Sequence, residues 1–401
     1  MIQITDMAIE QRMWPLLRQA FRPFFLLGSS FSIVAMSLWL LALDRVIDVP
    51  WYGHVLFWHS HEMLFGFVAA IVVGFLLTAV QNWTGLRATH GKTLFVLVLV
   101  WCLARVSFAI GQLLPAWVTI ALDVSFLPLA ALLLAVPLIK VGQSRNLFFV
   151  PVLLLLALCN GLMHYGHLSA NYAVQRAGVT SAILVITLLM AVIGGRVIPM
   201  FTANGTQTPR VNALPWLDKI ALTPLWLLVF LHVTLLNGAI PQTVLALIYA
   251  LAGVALLVRW LRWRFDRTLK VPLLWSLHLA YLFIPIGLLS LAWHYFTGDF
   301  MLSRLHHWLL VGAMGSMILS MMARVSLGHS GRPLRLHAVL PWAFALMIGA
   351  AVVRVLGFWL YPENIMLSYW VAGGAWVLAY TCYVVIYVPI LTRPRADGRP
   401  G

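Results

Sequence analysis

The sequence predicts an all-α fold: a polytopic membrane protein of about twelve transmembrane helices. Three observations carry this. Of 401 residues, 62% are hydrophobic and 9% are charged, whereas soluble domains carry about 25% charged residues. Twelve apolar runs each approach or exceed the roughly 20 residues needed to cross a bilayer. Lysine and arginine gather in alternate turns between those runs, the asymmetry that orients membrane proteins.

The runs fall near residues 24–44, 54–80, 93–113, 117–139, 147–165, 178–203, 215–236, 239–258, 272–296, 303–326, 338–360 and 365–391. The second, sixth, ninth and tenth are long enough to tilt or to project past the bilayer. Residues 1–22 read as a short amphipathic or irregular lead-in without a signal-peptide cleavage pattern. Residues 392–401 read as a tail. No other stretch is long enough for a soluble domain, so 1–401 is expected to form a single transmembrane domain, and no internal repeat is evident.

Turns after even-numbered spans carry Arg87 and Lys92, Lys140 and Arg145, Arg210 and Lys219, a cluster from Arg259 to Lys270, and Arg332 with Arg335; the tail adds Arg393, Arg395 and Arg399. The opposite turns hold only Arg45, Arg176 and Arg304. This pattern puts both termini on the cytoplasmic side of the inner membrane. The net charge of +15 therefore reads as topology and contact with membrane lipid, not as a nucleic-acid surface. The three cysteines, Cys102, Cys159 and Cys382, lie singly in apolar runs, which argues against a disulfide framework or a cysteine-based zinc site. No Walker loop, dinucleotide fingerprint or HExxH pattern occurs.

Polar groups inside spans are costly and mark function. Thirteen histidines accompany 11 acidic residues, and ten histidines lie within or at the ends of spans, among them His54, His164, His167, His232 and His294. Imidazole suits copper and haem iron. The densest group is Trp58-His59-Ser60-His61-Glu62-Met63. On a regular helix His59 and His61 point roughly 200° apart, so they serve two sites, or one supports the other. His54 and His61 share a stripe. Glu62 reads as the only acidic residue deep in an apolar context, able to orient a histidine or relay protons. In the tenth span His307, Met314 and Met321 share a stripe with Met317 beside it; thioethers suit cuprous copper, although methionine at helical spacing also simply packs. Gly312 and Gly315 admit either a flat macrocycle or another helix. His278 sits in an apolar turn of the ninth span, either as a core histidine or as a haem ligand. Arg105 and Arg354 lie deep in their spans; Arg196 and Arg324 lie near span ends, where snorkelling accounts for them.

Several stretches together resemble the NnrS family, membrane proteins of the bacterial nitric-oxide response. They are Phe21-Arg22-Pro23-Phe24-Phe25, Trp58 to Phe67, Gly74 to Gly85, Gly195-Arg196-Val197-Ile198-Pro199-Met200-Phe201-Thr202, Leu274-Trp275 with His278 and Tyr281, and Met322 to Leu334. Gln81 stands where the family pattern has Pro, at a span end. The doubled His306-His307 leaves the register of the tenth-span histidine open.

The resemblance implies bound haem, of b type, and copper, in a protein that limits nitric-oxide damage during denitrification. The motif histidines map onto His59, His61, His278, His307 and His329. The expected haem positions are His61, His278, His59 and His307, with Arg324 toward the haem. The expected copper positions are His59, His307, His329, Met317 and Met321. Glu62 supports them. Haem–copper oxidase main subunits offer an architectural analogy only. Expected partners are nitric oxide and a quinol or periplasmic electron donor; whether the protein turns over substrate stays open. A twelve-span secondary transporter or an assembly partner of a denitrification enzyme are the alternatives.

Overall fold

The structure, a computed structural model, describes residues 7–299 and 301–399. Among them all regular structure is helical and no strand occurs. Twelve helices are long and apolar enough to cross a membrane: α1 Phe21–Leu43, α2 Val55–Thr84, α3 Gly91–Ala109, α4 Ala116–Lys140, α5 Ser144–Leu168, α6 Tyr172–Thr206, α7 Pro215–Val233, α8 Gln242–Leu261, α9 Pro272–Thr297, α10 Leu302–His329, α11 Leu340–Leu360 and α12 Ile365–Leu391. Each coincides with an apolar run of the sequence.

Local chemistry sets the helix ends. Pro215 and Pro272 open α7 and α9, where a missing N–H loses no hydrogen bond. The His54 side chain caps α2, its Nδ1 accepting from Phe57 N–H at 3.2 Å. Gly85 and Gly298 close α2 and α9 in left-handed conformation, at φ 70° and 74°, which glycine adopts without strain. Two helices change pitch: Glu62–Val68 in α2 and Trp308–Gly315 in α10 are π-helical. Such wide turns shift side-chain register and recur at functional sites.

The chain divides into two compact units. The first comprises Met1–Val179, Met322–Arg335 and Tyr380–Gly401; the second comprises Thr180–Met321 and Leu336–Ala379. In the first, α1 to α5 pack with the end of α10 and the end of α12. The described part of the lead-in forms a short helix, Met7–Arg12, and a 3₁₀ turn, Pro15–Leu17; residues 1–6, and 400–401 of the tail, lie outside the described residues.

Some cations at the ends of the spans are structural. Arg22 is fully buried in the first turn of α1. Its guanidinium donates to the carbonyls of Leu391 at 2.9 Å and Arg393 at 2.7 Å, satisfying orphan acceptors at the end of α12. Arg87 pairs with the buried Glu10. In the second unit Arg259 bonds Asp218 at 2.8 Å and the Ala191 carbonyl at 2.9 Å. Arg395 docks the tail on the His329 carbonyl at 2.9 Å.

Candidate metal centre

Six polar residues of the first unit converge on one buried cluster. The π-helical turn of α2 begins at Glu62, directly after His61. Trp101 Nε1–H of α3 donates to the Gly66 carbonyl within that turn at 2.9 Å, which ties the wide turn to its neighbour. His61 and Glu62 are both fully buried. They face Arg105 of α3, Asp123 of α4, and Asn160 and His164 of α5.

The hydrogen-bond directions at His61 are informative. His61 Nδ1 lies 3.0 Å from Glu62 Oε1, so a carboxylate takes the proton on that nitrogen. His61 Nε2 faces Asp123 Oδ2 at 3.0 Å and Asn160 Oδ1 at 2.8 Å. Asn160 Nδ2 donates to Asp123 Oδ2 at 2.6 Å, which fixes the amide so that its oxygen points at the imidazole. A neutral imidazole carries one proton and cannot satisfy acceptors on both sides. Nε2 therefore needs a cation of its own, a proton or a metal ion.

His164 repeats the arrangement. Its Nε2 lies 3.1 Å from Asp123 Oδ2, and its Nδ1 lies 3.3 Å from the Tyr52 hydroxyl. Arg105 bonds both Glu62 and Asp123. One guanidinium against two carboxylates leaves one negative charge with neutral imidazoles. In a buried site that charge must be balanced.

This donor set fits a metal ion. Donor atoms of His61, Asp123 and His164 all lie within 4.8 Å of one another. Ligands at about 2.0–2.2 Å around one tetrahedral ion stand roughly 3.3–3.6 Å apart, slightly more than the 3.0 and 3.1 Å that separate Asp123 Oδ2 from the two Nε2 atoms. Each imidazole presents Nε2 inward while its Nδ1 is held by a second group, Glu62 or Tyr52, the support that fixes tautomer and ring orientation in metal sites. Imidazole with carboxylate suits copper, iron or zinc. Tyr52 lies in the α1–α2 loop, outside the spans; burial, and after it the Asp123 charge, push its phenol up to about 12. Burial also lowers the pKa of His54 in the same loop.

The expected site residues separate in space. His59 turns away from the cluster and stacks on Trp39 with ring centroids 4.1 Å apart. His329 lies against Phe21, 5.7 Å between centroids. Phe21 and Trp39 stand 18 residues apart on α1, about 27 Å at 1.5 Å per residue, so His59 and His329 do not share a copper ion. On α10 His307 precedes Met317 and Met321 by roughly 15 and 21 Å of helix, so they do not share one either; the stripe reading took a common face for a common site. His307 Nδ1 bonds the Ser303 carbonyl at 2.7 Å, and its neighbour His306 is buried. Gly312 and Gly315 seat the Phe283 and Trp376 rings, which favours close helix packing over a macrocycle.

Haem iron at His61 would have to take the Nε2 that faces Asp123 and Asn160. In the second unit His278 is fully buried. Its Nε2 bonds Thr202 Oγ1 at 2.8 Å and its Nδ1 has no partner among the described residues. An axial haem bond through Nε2 would displace Thr202. Arg354 lies over the Tyr369 ring at 4.5 Å, away from either histidine motif in the sequence. Arg324 is half-buried.

Sequence reasoning missed Asp123, Asn160, His164 and Tyr52 as partners of His61. Glu62 is not the only deeply placed acid: Asp123 interrupts an apolar run in α4 and is buried. Asn160 and His164, four apart on α5, share a face, a signal that was present in the sequence.

Fold and site together define a twelve-helix membrane protein with a buried histidine–carboxylate centre. The chain belongs to the NnrS protein family, whose model matches residues 15–395. It is thus a membrane protein of the nitric-oxide response. No curated protein matches the chain.

Proposed function

We propose that the chain protects against nitric oxide through a redox metal ion, copper first, held by His61, His164 and Asp123 with Asn160 alongside. The observation that carries the reading is His61, whose Nε2 faces two oxygen acceptors while Nδ1 is committed to Glu62. A bound redox metal supplies a position for a small neutral diatomic and a means of electron transfer. The chain's own residues do the rest. Glu62 and Tyr52 hold the imidazoles in register, Arg105 balances the carboxylates, and the apolar wall of Phe57, Phe65 and Phe108 around His61 excludes water and admits an uncharged ligand. With both termini in the cytoplasm, the Tyr52 end of the cluster faces the outside, within reach of a quinol or a periplasmic electron donor. Haem remains attached to this reading only through His278.

The test is copper, iron and haem per chain in detergent-purified protein, for the wild type and for His61→Ala and His164→Gln, with spectra recorded before and after a nitric-oxide donor. Wild type is expected to hold about one metal ion, perturbed by nitric oxide, and both variants to lose most of it, since metal affinity follows the ligand set. A folded wild type without metal overturns the reading and makes a transporter the leading alternative. Haem lost on His278→Ala alone would place haem in the second unit.

A further inference from the structure

The fold leaves a second pair of imidazoles between the cluster and the nearest end of the first unit. His54, in the α1–α2 loop, is exposed, and His167, in the last turn of α5, is half-buried. Their ring centroids stand 6.2 Å apart. Two imidazoles bound through nitrogen to one ion, at about 2.0 Å per bond, place their centroids roughly 5 Å apart at a tetrahedral angle and roughly 6 Å apart when they bind from opposite sides, so this spacing matches the two-coordinate arrangement. His167 has no hydrogen-bond partner among the described residues, so its nitrogens are not committed to the fold. No carboxylate bonds either ring among the described residues. The pair therefore lacks the anionic support that holds His61.

The two sites are joined by packed rings. Tyr52 stands 5.3 Å from His167 and 5.5 Å from His164, and Phe57 stands 4.8 Å from His167 and 5.6 Å from His61. The Tyr52 hydroxyl that touches His164 thus belongs to the ring separating the outer pair from the centre. His54 carries a further constraint. Its Nδ1 accepts the Phe57 N–H as the cap of α2, so that neutral ring bears its proton on Nε2. Binding a metal through Nε2 requires the other tautomer and gives up the cap bond. A site that loses a helix cap when filled holds its ion more loosely than a buried centre with prearranged tautomers.

We propose that His54 and His167 form a loading site for a transition-metal cation, which takes the ion at the loop end of the first unit and passes it by Tyr52 to His164, Asp123 and His61. This rests on the metal reading of the buried cluster. It adds a separate binding step with its own residues: the outer pair governs how fast the centre fills, and the buried set governs how much it holds.

The experiment follows the uptake of cuprous ion by metal-free, full-length protein in detergent, withdrawn from a coloured chelator. Rate and end point are both read. The variants are His54→Asn, His167→Gln and the double variant; asparagine at 54 can still accept from Phe57 N–H, so α2 keeps its cap. The double variant is expected to fill roughly tenfold more slowly, or slower still, to the wild-type end point, with an unchanged melting temperature. Asp123→Asn is expected to lower the end point. A double variant that fills at the wild-type rate overturns the loading pair and leaves the buried centre standing. A double variant that melts like wild type but loses the end point makes these histidines part of the centre and also overturns it. A wild type that takes up no copper overturns the buried centre itself, and the loading site with it.

Discussion

Asp123 Oδ2 lies 3.0 Å from His61 Nε2 and 3.1 Å from His164 Nε2, so one carboxylate oxygen from the first third of α4 joins imidazoles from α2 and α5. Asp123→Asn keeps the shape and removes the charge. Arg105 retains Glu62, and the site loses the one anion shared by both histidines. Metal affinity is expected to fall by at least the roughly 10- to 100-fold that loss of a supporting group costs, read as metal per chain by elemental analysis after dialysis against graded chelator. Wild-type retention in this variant would remove Asp123 from the ligand set.

Arg105 is the counter-charge for two carboxylates at once. Arg105→Gln leaves Glu62 and Asp123 facing each other in a buried setting. Removing one partner of a buried ion pair costs about 3–5 kcal/mol, so the variant is expected to melt far below the wild type. Arg354→Gln provides the contrast. Arg354 lies over the Tyr369 ring, and losing such a contact costs about 0.5–2 kcal/mol. Equal melting shifts for the two variants would contradict the charge account of the cluster.

The twelve helices were legible because lipid imposes a simple demand: a span must be long, apolar and internally hydrogen-bonded. His61 and Glu62 were legible because they are consecutive in the chain and polar where lipid is expected. Asp123 and His164 were harder to place. A helix apolar on every side offers no contrast between its lipid-facing and inward-facing sides, so the sequence of α4 and α5 does not reveal which neighbours their polar residues meet. The tenth-span methionines show the opposite failure. Periodicity reports a shared face, but the 1.5 Å rise per residue separates His307 from Met321 by several turns. The role of Arg22 was not legible because its partners, carbonyls at the end of α12, carry no sequence signature.

Tyr52 titrates outside the spans, and its phenol is raised to about 12 by burial and by Asp123, against about 10 in an unfolded chain. The folded state favours the protonated phenol. The stabilisation from this group is therefore fully present below pH 10 and is lost as pH rises from 10 through about 12. The wild-type minus Tyr52→Phe difference in tyrosinate absorbance should show a step near pH 12. A step near pH 10 would mean that the ring is solvated. Because phenylalanine cannot bond His164 Nδ1, the same variant should also bind metal more weakly at neutral pH.

His59 and His329 are expected to behave as independent residues. His59 stacks on Trp39, His329 lies against Phe21, and the intervening length of α1 is about 27 Å. Substitutions more than 7–10 Å apart without shared partners add within about 0.3–0.5 kcal/mol. The melting shifts of His59→Ala and His329→Ala should therefore sum to that of the double variant. Neither ring contributes a donor atom to the His61–Asp123–His164 set, so copper per chain should stay at the wild-type value in all three proteins. Loss of the ion in either single variant, or a double variant whose shift departs clearly from the sum, would tie the two ends of α1 together and would move the metal centre away from Asp123.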